Sequence, residues 1–118
     1  MSTDADDVMA QQLRALRREY LADSAQRVGE LRTLFARVLA GERAALPDLR
    51  QAFHRLAGSG GSYGFPAVSA RSREGERLVS RLAAEEGTIA AADLDSLRSS
   101  LDGVARAFAE ALEGENRS

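Results

Sequence analysis

"LPDLRQAFHRLAGSGGSYGFP", Leu46 to Pro66, decides how the chain around it is read. Pro47 suits the first turn of a helix, where its missing N–H removes no intrahelical bond. Leu46, Leu49, Phe53, Leu56 and Tyr63 then recur at helical spacing. Gly58, Gly60 and Gly61 interrupt that pattern, each weakening a helix by about 1 kcal/mol relative to alanine. Gly64 is the expected terminator, since positive φ costs glycine little, and Pro66 opens the next helix. The only histidine of the chain, His54, stands at the head of this glycine run.

Helical geometry separates the faces. With His54 at zero, Phe53, Leu49, Leu56 and Gly60 fall between roughly −100° and −160°, and Tyr63 near 180°. That is the stripe expected in the core, with Phe53 and Leu56 as supports and Gly60 admitting a neighbouring helix. His54 lies roughly 140° from its centre and faces solvent. Gly58 lies near +40°, Gly61 near −20° and Ala57 near −60°, all on the histidine's side. The expected face is therefore open: one imidazole bordered by residues with little or no side chain.

Outward from this helix the pattern stays helical. Leu13, Leu16, Tyr20, Leu21, Val28, Leu31, Leu34, Phe35, Val38 and Leu39 step by three, four and seven. They predict a short first helix, a bend near Tyr20 to Ser24, a longer second helix and a stop at Gly41. Val68, Leu78, Val79 and Leu82 continue the pattern after Pro66. Ala83 to Thr88 reads as a loop with Thr88 as N-cap. Leu94, Leu97, Leu101, Val104, Phe108 and Leu112 mark the last helix, and "GENRS" reads as a frayed tail. No segment alternates with the period of a strand. The expected architecture is all-α: an antiparallel up-and-down four-helix bundle with a short additional N-terminal helix. It forms one domain over residues 1–118, with an ordered core over 6–113.

Composition narrows the function. The 118 residues carry a formal net charge of −2 and no long basic run, which argues against a general nucleic-acid binder. There is no cysteine, so disulfides and thiolate metal sites are excluded. No apolar stretch approaches the roughly 18 residues of a membrane span, and "MSTDADDVMA" lacks the order of a signal peptide. A cytoplasmic, soluble protein is expected.

A neutral imidazole is a good nucleophile and can carry a phosphoryl group. Transfer needs in-line approach and positive charge near the oxygens. Arg50, near −40°, shares the face of His54, and Arg55, at about +100°, is adjacent. Ser59 and Ser62 are candidate hydrogen-bond donors. "RSREGERL", Arg71 to Leu78, reads as a charged exterior whose Glu74 and Glu76 pair with nearby arginines. A histidine-liganded metal or acid–base site is disfavoured: there is no second histidine, and Asp48 and Glu42 lie at poor angles.

"AFHRLAGSGGSYGFPAVS", Ala52 to Ser69, resembles the signature of histidine-containing phosphotransfer (HPt) domains. His54, Leu56, Gly58, Ser59, Gly60 and Gly64 occupy the places of that pattern, and the helix order fits along nearly the whole chain. The resemblance implies a phosphorelay intermediate without turnover of its own. His54 would take a phosphoryl group on its distal nitrogen from a receiver-domain aspartate and pass it to another receiver. The implied partners are response-regulator receiver domains and a hybrid histidine kinase. The implied protein is a monomer holding no metal, with Mg²⁺ supplied by the receiver. Gly58 would keep the nucleophile accessible, and Ala57, Ser59 and Gly61 would line the docking face. The family often has lysine three residues after the histidine. Here that residue is Ala57, and Arg50 or Arg55 is the expected substitute. The alternative function is a helical adaptor that binds receivers or kinases without carrying phosphate.

Overall fold

The computed structural model describes residues 3–117 as five helices. They are α1 (Thr3–Ala22), α2 (Ser24–Leu39), α3 (Ala45–Ser62), α4 (Pro66–Ala84) and α5 (Ala91–Asn116). No strand occurs among the described residues.

Side-chain pairings give the directions. Glu30 pairs with Arg55, and Arg37 lies near Asp48, so numbering falls along α3 as it rises along α2. Arg81 pairs with Asp93, and Arg71 lies against Gly103, which makes α4 and α5 antiparallel. Arg32 with Asp102 and Arg98 over Phe35 close α5 onto α2 in the same sense. The result is the expected up-and-down four-helix bundle.

Its core is mostly aliphatic. Leu31, Leu49, Phe53, Val68, Val79, Leu97, Leu101 and Val104 have no exposed surface. Burying each such side chain contributes about 1.5–3 kcal/mol before entropy is counted. Phe53 and Leu56 are core supports, as their spacing predicts.

Two glycines set how closely α3 and α4 approach. A Cβ on Gly60 would lie 3.0 Å from the Ser69 nitrogen and from Val68 Cγ1. A Cβ on Gly75 would lie 2.5 Å from Cε1 and Cζ of Phe53. The Ser69 hydroxyl donates to the Ala57 carbonyl at 2.7 Å and ties the start of α4 to the end of α3.

The ends differ in part from expectation. Gly41 and Gly64 have φ of +90° and +84° and stop α2 and α3 as predicted. Thr88 caps nothing: α5 begins at Ala91 with Ala90 as N-cap and no side-chain cap bond. Arg43 organises the preceding loop instead, donating to the carbonyls of Leu82, Glu85 and Gly87 where α4 runs out. The C-terminal tail is not frayed over Gly114 to Asn116, which continue α5.

The first helix is not short. Its 20 residues exceed the 16 of α2, and the break falls at Asp23, inside the predicted window. Tyr20 and Leu21 anchor α1, with the Tyr20 ring stacked on Tyr63 at 4.6 Å and close to Phe65 and Phe108. Leu13 and Leu16, expected on a core-facing stripe, are 50% and 48% exposed, as are Val8, Met9 and Leu39 to similar or greater degrees. The anchoring contacts are confined to the last turns of α1, so its amphipathic face has no bundle surface beneath it further back.

Candidate phosphotransfer site

His54 sits in the middle of α3 and projects into solvent, with its side chain 67% exposed. The predicted orientation is therefore found. Its immediate surroundings come from two helices, not one. An open cavity of about 250 Å³ is lined by His54, Ala57 and Gly58 from α3 and by Arg73, Glu76 and Arg77 from α4.

Glu76 is the residue that defines the ring's state. Its carboxylate accepts a hydrogen bond from His54 Nδ1 at 2.8 Å. A carboxylate only accepts, so Nδ1 carries the proton of the neutral ring. The lone pair then resides on Nε2, which has no protein partner among the described residues. The glutamate side chain is itself only 22% exposed, so the bond is partly shielded from water. Glu76 follows Gly75, whose missing side chain lets Phe53 reach α4, and Phe53 precedes His54. The close packing of 53 on 75 thus places 54 opposite 76.

The other predicted site residues divide. Gly58 is exposed, and a Cβ there would meet nothing within 4 Å, so the space beside the imidazole is clear. Gly61 is exposed but lies outside the His54 cavity, its Cβ position being 3.6 Å from Ser69 Oγ. Ala57 is 5% exposed, not part of an open face, because α4 packs over it. Only one edge of it reaches the cavity.

Ser59 lies outside the His54 cavity, in a 2.7 Å hydrogen bond with the Tyr20 hydroxyl. Arg55 pairs with Glu30 at 3.0 Å and lies off the cavity. Arg50 is exposed and has no partner among the described residues, but it also lies outside the cavity. Glu74 pairs with Arg71 as expected, whereas Glu76 pairs with His54 and not with an arginine.

Sequence reasoning missed Glu76, Gly75, Arg73 and Arg77. They look like an ordinary charged exterior until the register of α4 on α3 is known.

A histidine presented on an antiparallel helical bundle, its inner nitrogen protonated and its outer nitrogen free, has the form of a phosphoryl carrier. The Hpt domain family model matches residues 15–113, and the chain belongs to that family of phosphotransfer modules in phosphorelay signalling. No curated protein and no solved structure matches the chain. No helix among the described residues is long and apolar enough to cross a membrane.

Proposed function

We propose that the chain is a phosphorelay intermediate that accepts a phosphoryl group on Nε2 of His54 from a receiver aspartate and passes it to the aspartate of another receiver. A hybrid histidine kinase is the upstream source, and the chain itself performs no turnover. The observation that carries this reading is the 2.8 Å bond from Nδ1 to Glu76 with Nε2 left open.

The chemistry follows from that tautomer. The Nε2 lone pair attacks phosphorus as the bond to the aspartate oxygen breaks, and the aspartate leaves as a carboxylate. No proton has to leave Nε2, because it carries none. The Nδ1 proton stays, so the ring becomes an N-phosphoryl imidazolium. Glu76 faces the positive charge that develops and stabilises it. The reverse step regenerates the neutral ring when a second aspartate attacks. The receiver supplies Mg²⁺ for the oxygens in flight, and docks over His54 and the cleared surface at Gly58.

The test is transfer of labelled phosphate from a phosphorylated receiver, with Mg²⁺, to the wild-type chain and to His54→Gln. Label on the wild type alone is expected. Equal label on both would remove His54 as carrier. Binding without label on either would favour the adaptor.

A further inference from the structure

We propose that Arg73 and Arg77 of α4 form the binding site for the phosphoryl oxygens on His54, supplying the positive charge that α3 lacks at Ala57. This rests on the reading of His54 as phosphoryl acceptor and adds the residues that hold the group.

Three observations meet here. First, both arginines line the His54 cavity, and both are exposed. Second, neither has a hydrogen bond or ion pair among the described residues. Most other arginines of the bundle are engaged, Arg32, Arg37, Arg55, Arg71 and Arg81 with carboxylates and Arg43 with carbonyls. Two uncommitted guanidinium groups beside one nucleophile are available to an anion.

Third, the helix register puts them where the charge is needed. His54 meets Glu76 and Ala57 meets Ser69, so Arg73 lies across from the stretch between those pairs. Ala57 is buried beneath α4, and a cation reaching the phosphoryl group from that side comes from α4. Gly58 leaves the space between the helices open, since a Cβ there would touch nothing within 4 Å.

The charge balance requires such a site. Glu76 holds Nδ1 and places a negative charge beside an incoming dianion. Left alone, it would oppose the phosphoryl group while stabilising the ring. Two guanidinium groups offset that repulsion, and each matches phosphate oxygens with paired N–H donors. Arg50, likewise without a partner among the described residues, lies off the cavity and serves as the internal control.

Phosphoramidate serves as donor, so that no receiver supplies its own lysine or metal. Nε2 displaces the amine of phosphoramidate, the N–P bond of the donor breaks, and ammonia leaves with a proton from water. The wild type, Arg73→Ala/Arg77→Ala, Arg73→Lys/Arg77→Lys, Arg50→Ala and His54→Gln are compared by intact mass and by ³¹P titration of the phosphoryl group. The double alanine variant should label about fivefold more slowly or worse, the scale of two exposed charges acting together. Its phosphoryl group should also titrate at higher pH, because the dianion has lost its neighbours. The lysine variant should recover most of the rate, and Arg50→Ala should match the wild type.

Label lost in His54→Gln but equal in rate and titration between the wild type and the double alanine variant overturns the arginine site alone. Label retained in His54→Gln, or absent from the wild type, overturns the His54 reading and this inference with it.

Discussion

The carboxylate of Glu76 lies 2.8 Å from His54 Nδ1, across the interface between α3 and α4. The two residues are separated by 22 positions, and their meeting depends on how α4 is seated rather than on local sequence. That bond assigns the proton of the ring and leaves the other nitrogen without a protein partner among the described residues. Removing it should alter chemistry without altering the fold, because both side chains lie at the surface of the bundle.

Glu76→Ala should slow phosphoryl transfer to His54 by about tenfold, the low end for a hydrogen bond to a charged group that remains partly wet. Glu76→Gln keeps an acceptor for Nδ1–H but loses the charge, and should fall between the alanine variant and the wild type. Single-turnover transfer at fixed receiver concentration measures both. Rates equal to wild type in both variants would deny Glu76 any part in setting the ring.

Gly75 is a packing position. A Cβ there would stand 2.5 Å from two atoms of the fully buried Phe53 ring. Gly75→Ala should therefore destabilise the protein by about 1–3 kcal/mol, despite alanine's better helix propensity. Phe53→Leu combined with Gly75→Ala should recover part of the interaction, giving a sum that is not additive. Urea unfolding of the two single variants and the double variant is the measurement. An unchanged midpoint for Gly75→Ala would mean that the helices are spaced more widely than described.

Gly58 is the opposite case. Its neighbourhood is empty, so Gly58→Ala should raise stability by about 0.5–1 kcal/mol through helix propensity alone. Gly58→Glu should fold equally well yet block transfer from a receiver, by bulk and by charge beside the phosphoryl group. Thermal denaturation alongside transfer separates the two effects. Undiminished transfer in Gly58→Glu would move the docking surface elsewhere.

Tyr20 links α1 to α3 through the Ser59 hydroxyl at 2.7 Å. Burial pushes its phenol above the usual 10.0, outweighing the lowering by the Ser59 hydrogen bond and by the Arg27 guanidinium over its ring. The unfolded chain then ionises first as pH rises. The stabilisation is complete below the ordinary value and is lost as pH climbs from there through the folded value. Urea midpoints should fall more steeply above pH about 10 for the wild type than for Tyr20→Phe. Parallel curves would show that Tyr20 ionises alike in both states.

The fold was legible because most of its determinants are local. The apolar spacing of α2, α3 and α5, the stops at Gly41 and Gly64 and the solvent-facing angle of His54 all depend on neighbours within a few turns. The failures share a different cause. Leu13 and Leu16 have a core-like pattern, but the bundle surface they would cover is not there. Ala57 falls on the histidine's side of α3, yet α4, tied to its carbonyl through Ser69, packs over it and buries it. Ser59, expected on the docking face, lies about 140° around α3 from His54 and bonds Tyr20 instead. Glu76 could not be separated from Glu74 by any property of its own segment. Only the register that Phe53 and Gly75 impose distinguishes the glutamate that meets an imidazole from the one that meets Arg71. The candidate site is thus half local and half tertiary: the solvent-facing imidazole was visible in its helix, and the α4 groups around it were not.

The central claim is that phosphate resides on Nε2 of His54 while Glu76 holds Nδ1. Nitrogen-edited NMR of the ¹⁵N-labelled protein, phosphorylated by a receiver, tests this directly because the two ring nitrogens give distinct signals. The account predicts phosphorus coupling on Nε2 and a protonated Nδ1. Coupling on Nδ1, or an imidazole unchanged while the protein carries label elsewhere, would contradict it.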